Sequence, residues 1–287
     1  MFSAVLALAF GRPLLLLIQF SWNSELYSYL LLVPFVSGYL AWLKKNELLP
    51  YSVPDRKLAV LPLAAGFLVL AGYLFALRSG LNLAPVDFLA WTTFSFFLLF
   101  IGACCFFLGS QTLRTLAFPV GFLIFLVPLP NALENAFESF LQYRTADAAE
   151  LLFGIVGTPL LRHNVDFHLP GFSLQVAPEC SGIRSTLVLF ITSLVAGQLF
   201  LRSPRRRAML VLAVIPLGIL RNALRVVTIG ELCIHVGPDM INSKFHHRGG
   251  PLFFLLSLVP FFGLLYVLRM LDVKKQIHSN AREREMI

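Results

Sequence analysis

Charge is scarce in this chain. Asp, Glu, Lys and Arg make up 13% of its 287 residues, about half the ~25% of a soluble globular domain. Acid is scarcer than base, with 15 carboxylates against 23 Lys and Arg. Cysteine is rare as well: Cys104, Cys105, Cys180 and Cys233. None stands in a CxxC pair, so neither a zinc ribbon nor a disulfide framework is supported. Glu231, Cys233, His235, Asp239, His246 and His247 crowd one stretch but lack HExxH or HxxxH spacing. That argues against a metal centre, and no cofactor is expected. Residues 1–20 lack a basic start and a small-residue cleavage site. They are expected to be a retained apolar segment, interrupted by Arg12, rather than a removed signal peptide. Internal repeats and low-complexity linkers are also missing.

What is present is apolar. Hydrophobic residues are 57% of the chain, and they gather in runs. Runs of roughly 18 or more such residues read as membrane-spanning helices. Spans are expected near 3–20, 26–43, 58–77, 86–109, 113–130, 182–201, 208–227 and 251–270. The expected fold is therefore all-α and integral to the membrane, a single polytopic domain over 1–287 with about eight transmembrane helices. The net charge of +8 sits in short loops, which fits orientation in a bilayer rather than nucleic-acid binding.

The positive-inside rule orients the spans. With the N-terminus cytoplasmic, one side carries Lys44, Lys45, Arg56, Lys57 and Arg114. The same side carries Arg202, Arg205, Arg206, Arg207, Lys274, Lys275, Arg282 and Arg284. Both termini are then cytoplasmic, 272–287 is a polar cytoplasmic tail, and the protein is expected in the plasma (inner) membrane. The opposite side receives the long segment 131–180. Its first part is amphipathic, with Ala132, Ala136, Phe140 and Tyr143 on one helical face, and is expected at the interface or against the bundle. Next, VDFHLPGFSLQV alternates apolar and polar residues around Pro170-Gly171, as a short β-hairpin does.

The same topology gathers polar residues at the outer face. APECSGIRST, 177–186, opens the sixth span and places Cys180 in its first turn. A helix N-terminus favours thiolate, and Ser181 and Glu179 are candidate caps. Arg221 and Arg225 are i,i+4 neighbours at the end of the seventh span. His246 and His247 precede the eighth. Connectivity alone brings these groups to one membrane face, and 180–250 becomes the expected catalytic core. An imidazole beside a thiol can take its proton and later protonate a leaving amine. A guanidinium can hold a carbonyl oxygen as charge develops on it. Singly, each residue has a plainer reading: a cysteine packs as a small hydrophobe, and arginines snorkel to head groups. Arg184, one turn after Cys180, either tunes the thiol or anchors the helix.

Three local patterns in order resemble the exosortase/archaeosortase family of membrane cysteine transpeptidases. They are CSGIRS at 180–185, RNALRV at 221–226 and HHRGG at 246–250. In the second, Asn222 and Arg225 match the family's N-x-x-R core; the third fits H-x-x-x-G. The segment 24–45 is similar to its early span, with Tyr29 where a histidine is often found. The resemblance implies that Cys180 is the nucleophile, Arg225 the oxyanion or thiolate partner and His246 the general acid/base. Arg221 and His247 stand beside them as alternates, with Asn222 and Arg184 in support. It also implies a substrate: a membrane-anchored protein with a C-terminal sorting signal of motif, transmembrane helix and basic tail. The cleaved product would pass to an acceptor the sequence does not specify, at the extracytoplasmic face of the bilayer. Two other classes compete, a transporter or lipid-binding protein and a membrane acyltransferase. Transporters tend to carry repeats and mid-membrane polar groups, whereas here the polar groups crowd one edge.

Overall fold

An apolar run in a bilayer must satisfy its backbone internally, and the helix does this within one segment. The structure, a computed structural model, is accordingly mostly helical. It describes residues 10–48, 54–80, 83–177, 181–237, 240 and 250–285. The chain divides into two compact units, Met1–Glu134 and Asn135–Ile287.

In the first unit, α1 is Gly11–Asn23. A 3-10 turn at Ser28–Leu32 leads into α2, Val33–Leu43. Then come α3, Arg56–Arg78, and α4, Pro85–Thr115. Asp55 caps α3 by accepting from the Leu58 N–H at 3.1 Å. The two long helices pack closely because glycine faces leucine in both directions. A Cβ on Gly66 would lie 2.8 Å from Leu99 Cγ, and one on Gly102 would lie 2.6 Å from Leu63 Cγ. Small residues at such crossings let backbones approach, the main source of helix association in lipid. Ser95 adds a hydrogen bond from its Oγ to the Gly66 carbonyl, 2.9 Å. α4 kinks at Gly109, whose φ of 70° leaves the helical region.

After α4, a short helix, α5 (Ala117–Phe122), meets α6, Asn131–Val156, across a break. The chain bends by 92° between Ala117–Leu126 and Asn131–Val156. Pro128 and Pro130 lie in the break, where they deny the helix its N–H donors. Asp87 of α4 anchors the far side by accepting from the Asn131 N–H at 2.8 Å.

In the second unit, α6 runs into a small antiparallel sheet. Its strands are β1 (Leu161–His163), β2 (Asp166–Leu169) and β3 (Phe172–Gln175), in the order β1-β2-β3. Pro170-Gly171 turns β2 into β3, with Gly171 at φ 87°; β1 extends the pair to three strands. The bundle follows: α7 (Ile183–Phe200), α8 (Pro204–His235) and α9 (Gly250–Glu285). All three pack on one another, around Leu189, Leu210, Val214 and Phe261. A second core joins α6, the sheet and α8 through Phe153, Phe167, Leu174, Ala223 and Val227.

The described residues do not confirm the expected eight spans. Among the described residues, five helices are long and apolar enough to cross a membrane, namely α3, α4, α7, α8 and Gly250–Lys274 of α9. A sixth is counted if the bent pair is one span. The first expected span reaches into residues outside the described set. The second ends as the shorter apolar helix Ser28–Leu43, and the fifth is broken by its prolines. On α6, Ala132, Ala136, Phe140 and Tyr143 are exposed; the packed face is instead Leu141, Thr145, Ala149 and Phe153.

Candidate active site

The described end of this motif, from Ser181 to Thr186, forms a turn tethered to α8 that leads into a helix. α7 begins at Ile183, with Gly182 before it at φ 73°, ψ 17°. Ser181 and Gly182 therefore precede the first helical turn. Glycine is the residue that takes this left-handed conformation without a Cβ penalty. It is needed here for a second reason. A Cβ on Gly182 would stand 2.8 Å from Arg221 Nη2 and 2.8 Å from the Asn222 amide.

Arg221 reaches this turn from α8. Its Nη2 donates to the Gly182 carbonyl at 3.3 Å and to Thr186 Oγ1 at 3.4 Å. Thr186 in turn bonds its N–H to the same carbonyl, 2.9 Å. Ser185 Oγ donates to it as well, at 3.1 Å. The helices come this close because Gly218 faces Thr186: an added Cβ would lie 2.7 Å from Oγ1. Ser181, before the turn, is buried, and its Oγ accepts from the Ile183 N–H at 3.4 Å.

Burial makes the guanidinium notable. Arg221 is 5% exposed, and a buried charge is costly unless bonded. Among the described residues no hydrogen-bond acceptor meets its Nη1. Arg225 lies one turn further on and is half-buried. α8 continues past both to His235, so neither arginine ends the helix as expected. Asn222 is buried, and its Nδ2 lies 3.5 Å from Thr145 Oγ1 of α6. Arg184 is exposed on the first turn of α7.

The chain is also held upstream of the turn. Gln142 of α6 donates to the Val176 carbonyl, and the Val176 N–H donates to the Val165 carbonyl at 3.0 Å. Anchors thus stand at Val176 and at Ser181-Gly182, on either side of the sequence that holds Cys180. Cys180, His246 and His247 lie outside the described residues. The structure brings Arg221, Asn222 and Gly182 together and adds Thr186, Thr145 and Gly218, which had not been singled out. A signal for them was present. Gly182/Thr186 and Gly218/Asn222 are both i,i+4 pairs of small or polar residues on apolar helices, the pattern of close helix contacts in membranes.

The family model of the transmembrane exosortases (Exosortase_EpsH) matches residues 21–263. The chain belongs to the transmembrane exosortase family. It is thus an exosortase-family, multi-pass membrane protein, and the match takes in both units. Neither a curated protein nor a solved structure matches the chain. Within this exosortase-family chain, the matched region holds every residue of the Arg221–Gly182 cluster and the three motifs that carry the resemblance.

Proposed function

We propose that this chain is a membrane-embedded cysteine transpeptidase, a thiol protease of the plasma (inner) membrane. It cleaves the C-terminal sorting signal of exported proteins at the extracytoplasmic face and passes the new C-terminus to an acceptor. Cys180, as thiolate, attacks the scissile carbonyl carbon. Arg225 holds the oxygen as negative charge develops there. His246 protonates the leaving amine as the C–N bond breaks, which leaves a thioester on Cys180. An acceptor nucleophile then gives up its proton to His246, attacks the thioester and releases the thiolate. Arg221 serves as a positioning residue, because its Nη2 is engaged with the turn that follows the thiol. Asn222 packs the same turn, and His247 and Arg184 flank the site.

One observation carries this reading beyond the family match: a nearly inaccessible guanidinium is bonded to the backbone carbonyl two residues after Cys180. A transporter has no need to fix that carbonyl, whereas a nucleophile must be held to a fraction of an ångström. Co-expression with a protein ending in motif, apolar helix and basic tail tests the reading. Processing is expected to stop with Cys180→Ala, and a thioester adduct to be trapped only when Cys180 is present. Unimpaired processing by Cys180→Ala would sink the proposal. Full activity of Arg225→Ala beside an inactive Arg221→Ala would exchange the two arginine roles.

A further inference from the structure

A second polar site lies at the other end of the α7–α8–α9 bundle. α7 has 18 residues, so its axis runs about 27 Å from the Gly182 turn to Phe200. That is close to the ~30 Å of bilayer hydrocarbon, and it sets Phe200 at the opposite membrane surface from the turn. There the end of α7, the turn into α8 and the last apolar turns of α9 enclose a cavity of about 310 Å³. Small-molecule sites start at about this size, ~300 Å³. Gln198, Phe200, Arg202, Arg207, Arg269 and Asp272 are among its walls.

The cavity is built and positively charged. Arg207 is fixed by two bonds, Nε to the Leu201 carbonyl at 2.8 Å and Nη1 to Gln198 Oε1 at 2.5 Å. The Arg269 guanidinium lies 5.8 Å from the Phe200 ring centroid. Asp272 is the acid among the lining residues. It is already neutralised by Arg206 and accepts from the Arg202 N–H at 3.1 Å. Three arginines therefore face one space whose carboxylate is spent. The exposed Leu199 and Phe200 are also among its lining residues, a surface suited to acyl chains rather than water.

We propose that this cavity binds the phosphate of an anionic phospholipid head group, with the acyl chains lying along Leu199 and Phe200. Arg202, Arg207 and Arg269 supply the charge-assisted bonds to the phosphate oxygens, as basic pockets between transmembrane helices do. The site is separate from the Gly182 turn and does not depend on the transpeptidase reading. The full chain, stripped of lipid in a neutral detergent, tests it by native mass spectrometry with added lipid. Phosphatidylglycerol is expected to be retained in preference to phosphatidylcholine. Arg202→Gln and Arg269→Gln should each weaken retention about fivefold, and the pair roughly 30-fold. Arg144→Gln, an exposed arginine of α6, should leave retention unchanged and reports on general loss of positive charge. Excess inorganic phosphate should not displace the lipid. Equal retention of phosphatidylcholine, or unchanged retention by a double variant that melts like the parent, would overturn the proposal. Displacement by inorganic phosphate would overturn the lipid as ligand and reassign the site to free phosphate.

Discussion

At the scale of the residue, Gly182 concentrates the demands of the site. It takes a left-handed φ and leaves room for two polar side chains of α8. Gly157 supplies a control within the same unit. Its φ is 86°, yet a Cβ there would meet nothing within 4 Å. Alanine at either position incurs about 1–2 kcal/mol for the left-handed backbone. At Gly182 it adds crowding against Arg221 and Asn222, typically about 1–3 kcal/mol. Thermal unfolding in detergent should therefore show Gly182→Ala melting below Gly157→Ala, and only Gly182→Ala should lose processing. Equal melting points would mean that the turn is not packed as described. The CSGIRS motif announced a polar helix entrance here. It did not announce that Arg221 bonds the turn, because a contact between residues 182 and 221 depends on how closely two helices approach. That approach is set by Gly218 and Thr186, residues that look like filler in an apolar run.

At the scale of the element, periodicity located the long helices and missed their ends. α8 was expected to stop near 227, where hydropathy falls, but it continues to His235. Its last turns are held by packing and by a side-chain bond. Gly230 sits so close to Phe153 that a Cβ would fall 2.6 Å from the ring, and Thr158 donates to Glu231. β1 was missed for a similar reason, since Leu161–His163 has too few residues to alternate and is fixed by pairing with β2. The α3–α4 contact yields a sharper test. Gly102→Ala forces a methyl into Leu63 and should destabilise by about 1–3 kcal/mol. Leu63→Ala in the same chain should recover part of that, with a coupling energy of about 0.5–3 kcal/mol in a double-mutant cycle. Strict additivity would argue against the close approach.

The junction of α6 and the sheet gives a pH dependence. Arg162 on β1 bonds Asp147 at 2.8 Å and Glu150 at 2.7 Å. The bond from Arg162 holds the Asp147 carboxyl below its ordinary value of 3.8, against an opposing effect of burial. A depressed folded-state value means that the stabilisation is fully present above the unfolded value and is lost as pH falls through the folded one. The pair is partly exposed, so its contribution is modest. Melting curves of Arg162→Gln should lie below the parent at neutral pH and converge with it below about pH 4. A constant gap across that range would show that the ion pair is not its source.

At the scale of the whole molecule, the membrane class was legible at once, because long uncharged runs have one stable fate in lipid. The number of spans was not, since prolines between α5 and α6 turn one apolar run through a right angle. Orientation rests on the basic clusters and is directly measurable. A cysteine introduced at His163, in the sheet, should react with an impermeant maleimide on intact cells beyond the background of the native thiols. One introduced at Ser203, in the α7–α8 turn, should react only after lysis. The reverse pattern would invert the proposed topology and move the site to the cytoplasm. The length of α8 carries a separate consequence. Its 32 residues measure about 48 Å along the axis. A ~30 Å layer crossed at 40°, the upper end of tilts seen in membranes, accommodates only about 39 Å, or about 26 residues. About six residues or more of this helix must lie outside the hydrocarbon, in the head-group layer or beyond it. Their amides are expected to exchange with deuterium within the lifetime of a bilayer-embedded sample, while those near Val214 stay dark.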